Sequence, residues 1–301
     1  MRVLITGATG LVGRRLCLAL IDSGHAVVAL SRNPDASRRR STWLREVHRW
    51  RPEEESPPAR AFEGVDAVVH LAGESVVGLW TAGKRDSIRR SRTLGTSNLV
   101  DAMLARGERP RALIAASAVG YYGDRGEEIL TEDAGPGQGF LAEVCVAWEA
   151  EASRAEGAGV RVARLRSGNV LAARGGALGV LRRIFALGLG GPIGGGRQWW
   201  PWVHIDDAVG IIRFALENDV SGAFNATAPG AVRQGEFARV LGKTLHRPAL
   251  LPAPALAVRL ALGGFASELL GSKRVVPERI RKAGYEFKFA ELDRALADII
   301  G

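Results

Sequence analysis

An α/β fold of the Rossmann type, a doubly wound parallel sheet with a small C-terminal helical region, is predicted for this 301-residue chain by three features. A short apolar run, Val3-Leu4-Ile5, leads straight into the glycine loop GATGLVG at 7–13. Further apolar runs of strand length then recur with helical stretches between them, the alternation that builds an open parallel sheet covered on both faces. The composition, 47% apolar and 24% charged with 38 Gly and 13 Pro, supplies a large core and excludes disordered, collagen-like and coiled-coil classes.

The elements follow in order. Val3–Ile5 has the pattern of a strand buried on both faces. The next segment places Val12, Leu16, Ala19 and Leu20 on one helical face and ends at Gly24, a residue favoured after a helix. A second strand over Ala26–Leu30 completes a βαβ unit of about 30 residues. Strands are also predicted at Asp66–Leu71, Ala112–Ala116 and Val160–Leu165, and a long helix at Thr81–Arg106 with Ile88, Leu94, Leu99 and Met103 inward. Residues 38–58 look least ordered, offering one edge strand at Glu46–Trp50 and then a surface loop. Beyond Gly175 the rhythm loosens into a glycine-aromatic loop, GLGGPIGGGRQWWPW, and the tail from Arg233 is helix-rich. The expected organisation is a nucleotide-binding domain over 1–230, with substrate-loop insertions at 170–204, and a cap over 231–301.

Basic residues number 41 against 32 acidic ones, a net charge of +9. Lys accounts for only five of the 41, so the excess is an arginine preference rather than a mark of polyanion binding. Arg38–Arg40 with Trp43, Arg45, Arg49, Trp50 and Arg51 mixes cations and aromatics as single-strand binders do, but Glu53–Glu55 follow at once, which favours a solvated loop over a nucleic-acid partner. No window holds the ~18 apolar residues of a spanning helix and no charged leader precedes the first strand, so a cytoplasmic protein without a membrane partner is expected. Cys17 and Cys145 lack metal-ligand spacing, and no metal site is expected.

The glycines stand at GxxGxxG spacing between a strand and a helix, the context their mechanism requires. Gly7 permits the tight turn, Gly10 lets backbone approach a pyrophosphate, Gly13 lets the helix pack on the strand, and the N–H groups at the helix start face the phosphates. The second strand ends in Ser31-Arg32 with no acid before Asp35. An acid there would accept the 2′-hydroxyl of NAD, whereas an Arg suits a 2′-phosphate, so NADP(H) is the expected cofactor.

These residues, with HLAG at 70–73, GTSNLV at 95–100, SAVGYYG at 117–123, TED at 131–133, RSGNVL at 166–171 and VHIDDAV at 203–209, resemble the extended short-chain dehydrogenase/reductase superfamily, NAD-dependent epimerase/dehydratase group. LAGESV at 71–76, FLAEVCVAWEAEA, GGPIGGGRQWWPWVHIDDAV and the RVVPERIRKAGYEF tail narrow the similarity to an epimerase-like branch with a C-terminal domain of unknown function. The resemblance covers nearly the whole chain. It implies cofactor contacts from Gly7, Ala8, Thr9, Gly10, Leu11, Val12, Gly13, Ser31, Arg32, Leu71, Ala72, Gly73, Glu74, Arg92, Ser117, Ser167 and Gly168. At Arg92 relatives commonly carry an Asn, and a guanidinium there could face a phosphate.

Active members use a Tyr-x-x-x-Lys pair, in which the cation lowers the phenol's pKa. Here Phe140 or Leu141 stands at the Tyr position and Val144 or Cys145 at the Lys position, and none of the three Tyr has Lys four residues on. Three readings follow. One is an enzyme with a rebuilt site, for which Ser117 is the catalytic candidate, with Tyr121, Tyr122, Glu74, Glu143 and Cys145 as further polar groups. Another is a reductase relying on orientation, and the third is a non-catalytic NADP(H)-binding redox sensor. Trp199, Trp200 and Trp202 beside Arg197 could grip a substrate or pin the C-terminal region to the sheet, and His204 reads as structural. The expected partner is a small substrate, phosphorylated or nucleotide-linked, bound by a monomer or homodimer.

Overall fold

The computed structural model describes residues 1–301. The chain alternates through β1 (Arg2–Thr6), α1 (Leu11–Asp22), β2 (Ala26–Ser31), α2 (Pro34–Arg40), β3 (Glu46–Arg49), β4 (Ala67–His70), α3 (Ala82–Leu104) and β5 (Ala112–Ala118). A short β6 (Ile129–Leu130) precedes α4 (Phe140–Ser153) and β7 (Arg161–Ser167). Then come β8 (Asn169–Leu171), α5 (Gly176–Ala186), β9 (Trp202–His204), α6 (Ile205–Glu217) and β10 (Gly222–Ala226). The tail comprises α7 (Gln234–Thr244), α8 (Ala255–Leu262), α9 (Ala266–Leu270), β11 (Arg274–Val275), α10 (Glu278–Lys282) and α11 (Leu292–Ile300).

Seven strands pair in parallel in the order β10-β7-β5-β4-β1-β2-β3, the Rossmann arrangement. Because side chains alternate along a strand, β1 feeds both cores. Val3 and Ile5 join Leu16, Cys17 and Leu20 of α1 and Ile211 of α6, while Leu4 joins Leu99, Val100 and Met103 of α3. All of these are completely buried, each contributing about 1.5–3 kcal/mol if aliphatic. The chain runs outward from β1 to β3 and returns to β4 on the other side of β1. That reversal leaves a crevice at the carboxyl ends of β1 and β4, where such sheets bind ligands.

A third core joins Leu171, Leu178, Phe185, Trp200 and Trp202 to Phe237, Leu241, Leu292 and Leu296, so the C-terminal helices share a core with the 171–202 segment. β11 pairs with β6, and the buried Asp207 carboxylate accepts from Lys288 N–H (2.8 Å), Phe289 N–H (2.9 Å) and the Tyr285 hydroxyl (3.0 Å), stitching the tail back.

Three local outcomes differ from the sequence reading. Leu94 faces outward, 41% exposed, because Ile88, Leu99 and Met103 fill the inner face of α3. A helix, α2, occupies 34–40, started by Pro34 and by the Asn33 side chain accepting from the Ala36 N–H. The edge strand β10 had no counterpart in the apolar pattern, since Asn225 interrupts it with a buried polar side chain. No helix is long and apolar enough to cross a membrane.

Candidate functional site

Gly7 adopts φ 69°, and a Cβ there would lie 2.9 Å from the Leu71 carbonyl. A Cβ on Gly13 would sit 2.1 Å from the Gly7 oxygen. Only glycines therefore allow α1 to start this close to β1 and β4. The helix has no side-chain N-cap and no acid in its first turn, which leaves its N–H groups and positive dipole end to an anion.

From this loop a crevice of about 430 Å³ runs both ways. Gly7, Thr9 and Gly10 form its middle, Leu71, Ala72, Gly73 and Glu74 one end, and Ser31, Arg32, Asn33, Ser37 and Arg40 the other, with Trp50 and Pro52 closing the side. Ala8, Leu11, Val12 and Gly13 shape the loop and helix start without bordering the space.

The Leu71–Gly73 turn is held from below. Thr6 Oγ1 accepts the N–H groups of Leu71 (3.1 Å) and Ala72 (3.0 Å), so its own proton goes to His70 Nδ1 at 2.7 Å, and His70 Nε2 donates to Thr96 Oγ1 at 3.0 Å. This assignment needs a neutral ring. Complete burial, helped by the nearby Arg92 charge, pushes the His70 pKa down to about 4.

At the opposite end Arg51 pairs with Glu54 (2.8 Å), Arg90 with Glu53 (3.4 Å) and Arg38 with Asp35 (3.4 Å). Arg32 and Arg40, both exposed, pair with no carboxylate. Ala36, Ser37 and Arg40 share the crevice-facing side of α2, which the sequence reading missed; its signal was the Asn33-Pro34 helix start.

The remaining candidates lie elsewhere. Ser117 is buried at the end of β5, and its hydroxyl donates to Glu149 at 2.6 Å rather than opening to the crevice. Glu149 also takes two hydrogen bonds of 2.8 Å from Arg166, whose Nη1 reaches the Tyr122 hydroxyl at 3.0 Å. Tyr122 in turn donates to Asn225 Oδ1 at 2.7 Å. Burial opposes the Arg166 charge, but the Glu149 hydrogen bonds outweigh it and raise its pKa; burial raises that of Tyr122. This buried network was invisible in the sequence because its members are spread from 117 to 225.

Cys145 is buried, its pKa pushed up to about 12 by desolvation, so it stays a thiol. Glu143 is exposed and pairs with Arg89 at 3.2 Å. Leu141 and Val144 are buried apolar residues, and Phe140 packs edge-on against Trp80 at 5.1 Å. Gly168 sits where a Cβ would meet the Pro201 backbone at 3.0 Å, and neither it nor Ser167 borders the crevice. Arg92 does not border it either. Its Nη1 donates to the carbonyls of Glu74 (3.0 Å) and Ile88 (3.2 Å), its guanidinium lies 5.0 Å from the Trp148 ring centre, and burial lowers its pKa.

The tryptophans pin. Trp200 stacks edge-on with Phe237 at 4.5 Å, Trp202 donates to the Gly230 carbonyl at 3.0 Å, and Trp199 lies between Arg233 and Arg274 with its Nε1 on Glu127. Arg197 stays exposed, and His204 caps α6 by accepting from the Asp206 N–H at 3.1 Å.

Comparison with known proteins agrees with this architecture. Residues 3–227 match the family model of the NAD dependent epimerase/dehydratase family, and 253–299 match a domain of unknown function, DUF1731. An Arabidopsis thaliana protein, the chloroplastic SDR39U1 homolog of the epimerase family, is 38% identical over 100% of this chain and 87% of its own. The crystal structure of human epimerase family protein SDR39U1 with NADPH superposes with a TM-score of 0.90 at 34% identity, covering 100% of this chain and 99% of that one. A Corynebacterium glutamicum structure described as a nucleoside-diphosphate sugar epimerase gives 0.80 at 35% identity, covering 100% of this chain and 58% of that one. The chain belongs to the NAD-dependent epimerase/dehydratase family.

Proposed function

We propose that this chain binds NADP(H) and acts as an oxidoreductase or epimerase-type enzyme on a small molecule carrying a carbonyl or alcohol. The observation that carries the cofactor reading is the pairing of an uncapped helix start behind Gly7–Gly13 with the two unpaired arginines, Arg32 and Arg40, at the β2 end. The donors fit the group. The backbone N–H groups of Thr9, Leu11 and Val12 would hold the pyrophosphate, that of Gly10 being donated to the Gly7 carbonyl at 2.9 Å, while Ser31, Arg32, Ser37 and Arg40 would hold the 2′-phosphate, and Trp50 with Pro52 the side of the adenosine. Leu71–Gly73, fixed by Thr6 and His70, would seat the nicotinamide half. A bound nicotinamide supplies or accepts hydride, while the chain orients it and excludes water.

The human relative's crystallisation with NADPH supports the cofactor choice. The test has two steps: titration with NADPH by calorimetry, then following absorbance of the bound reduced cofactor against a panel of aldehydes, ketones and sugar nucleotides. Oxidation with one class supports the enzyme. Tight binding with no oxidation across the panel would instead support the sensor reading, which the absence of a Tyr-Lys pair on α4 favours.

A further inference from the structure

Eight of the fourteen large apolar side chains left exposed fall in two segments, 180–189 and 250–260. The first begins on the outer side of α5. Leu178 and Phe185 of that helix enter the third core, whereas Val180, Ile184 and Leu187 line the opposite side at i, i+4, i+7 spacing. The second segment includes α8, whose sequence ALAVRLAL is apolar at seven of its eight positions, yet only Val258 is buried. A helix apolar on every side belongs in a core or in lipid. Here Leu187 is 74% exposed, Leu250 80% and Leu260 78%.

Backbone hydrogen bonds join the two segments into one surface. The Leu251 N–H donates to the Gly190 carbonyl at 3.1 Å, Ala253 N–H to Pro192 at 2.8 Å and Gly194 N–H to Ala253 at 2.8 Å. Exposed Leu189 therefore flanks Leu250 and Leu251, and α8 starts just beyond, where a Cβ on Gly194 would lie 3.8 Å from that of Ala255.

The charge on this surface has one sign. Neither 157–205 nor 237–267 contains an Asp or a Glu. Arg183, Arg197, Arg247 and Arg259 are exposed, and no carboxylate pairs with any of them. Leucines flanked by free arginines suit an anionic bilayer, whose acyl boundary takes the apolar groups while its phosphates take the guanidinium groups. Two other occupants fit less well. A two-fold contact with a second copy would set these arginines against each other with no carboxylate on the face to receive them. Protein partners are anchored mainly by Trp and Tyr, whereas the exposed apolar residues here are aliphatic.

We propose that the α5–α8 face docks on an anionic membrane surface, with Ile184, Leu187, Leu256 and Leu260 entering the boundary between headgroups and acyl chains. The expectation of no membrane partner rested on the lack of a spanning helix, which interfacial docking does not need. The proposal is independent of the cofactor reading.

Cosedimentation of the full chain with vesicles tests it, using phosphatidylcholine alone and phosphatidylcholine with about one-third phosphatidylglycerol. Wild type should partition onto the anionic vesicles at least about 10-fold more strongly than onto the neutral ones. Leu256→Ser with Leu260→Ser should weaken that binding by about 10-fold or more, and Arg183→Glu with Arg259→Glu by a similar factor. Should the α8 pair lower the urea midpoint, Ile184→Ser with Leu187→Ser on α5 decides on the same terms. No sedimentation with either vesicle, or equal binding to both, overturns the proposal. So does anionic-vesicle binding that salt removes but the leucine substitutions leave intact, since that is the general attraction of a +9 chain. Self-association that the leucine substitutions abolish, without vesicle binding, would assign the face to a second copy instead.

Discussion

Gly13 admits no side chain, since the Gly7 oxygen would be 2.1 Å from its Cβ. Gly13→Val is expected to displace α1 and abolish NADPH binding, as fluorescence titration will show. The Glu149–Arg166 pair, 7% and 5% exposed, tests a different cost. Removing the carboxylate strands a buried guanidinium, so Glu149→Ala should lower unfolding free energy by about 3–5 kcal/mol in urea titrations. At this scale the places of Gly7, Gly10 and Arg32 on the crevice were legible because a backbone turn and a strand end leave local signatures. The surroundings of Ser117 were not legible for the opposite reason: a serine at a strand end looks the same in sequence whether its hydroxyl meets a ligand or, as here, donates to Glu149, 32 residues away on a helix.

Among the elements, β4 carries the clearest pH signature. His70 at its end has an ordinary pKa of 6.5 when unfolded and about 4 when buried. Between those values the unfolded chain binds a proton that the native one refuses, so stability falls as pH drops from 6.5 toward 4. The loss reaches roughly 3 kcal/mol at the lower limit. His70→Asn should flatten that part of the stability–pH curve; a slope identical to wild type would contradict the buried neutral ring. The strands β1, β2, β4, β5 and β7 were readable because strands covered on both faces are continuous apolar runs. The helix α2 and strand β10 were not: the first is a seven-residue polar helix seated on the crevice, and the second trades apolar pattern for Asn225, which hydrogen-bonds Tyr122 and the Val276 carbonyl.

For the molecule as a whole, Asp207 ties tail to sheet. Asp207→Ala leaves two backbone N–H groups without their acceptor and the Tyr285 phenol with only the residue-207 carbonyl at 3.3 Å, and is expected to cost about 3 kcal/mol while exposing the 285–289 segment to proteolysis. The +9 charge resolves differently from its first impression. Fourteen of the 36 arginines sit in ion pairs, among them Arg2–Glu46, Arg154–Asp101 and Arg233–Glu127, and of the unpaired ones Arg32 and Arg40 stand at one end of the crevice. A 2′-phosphate placed between them gains charge-assisted hydrogen bonds that a 2′-hydroxyl cannot match. The most direct measurement is therefore the ratio of NADPH to NADH dissociation constants for wild type and Arg40→Gln. NADPH should bind at least about 10-fold more tightly to wild type, and the substitution should remove most of that preference while leaving NADH affinity unchanged. Equal affinities in wild type, or a preference untouched by Arg40→Gln together with Arg32→Gln, would contradict the account.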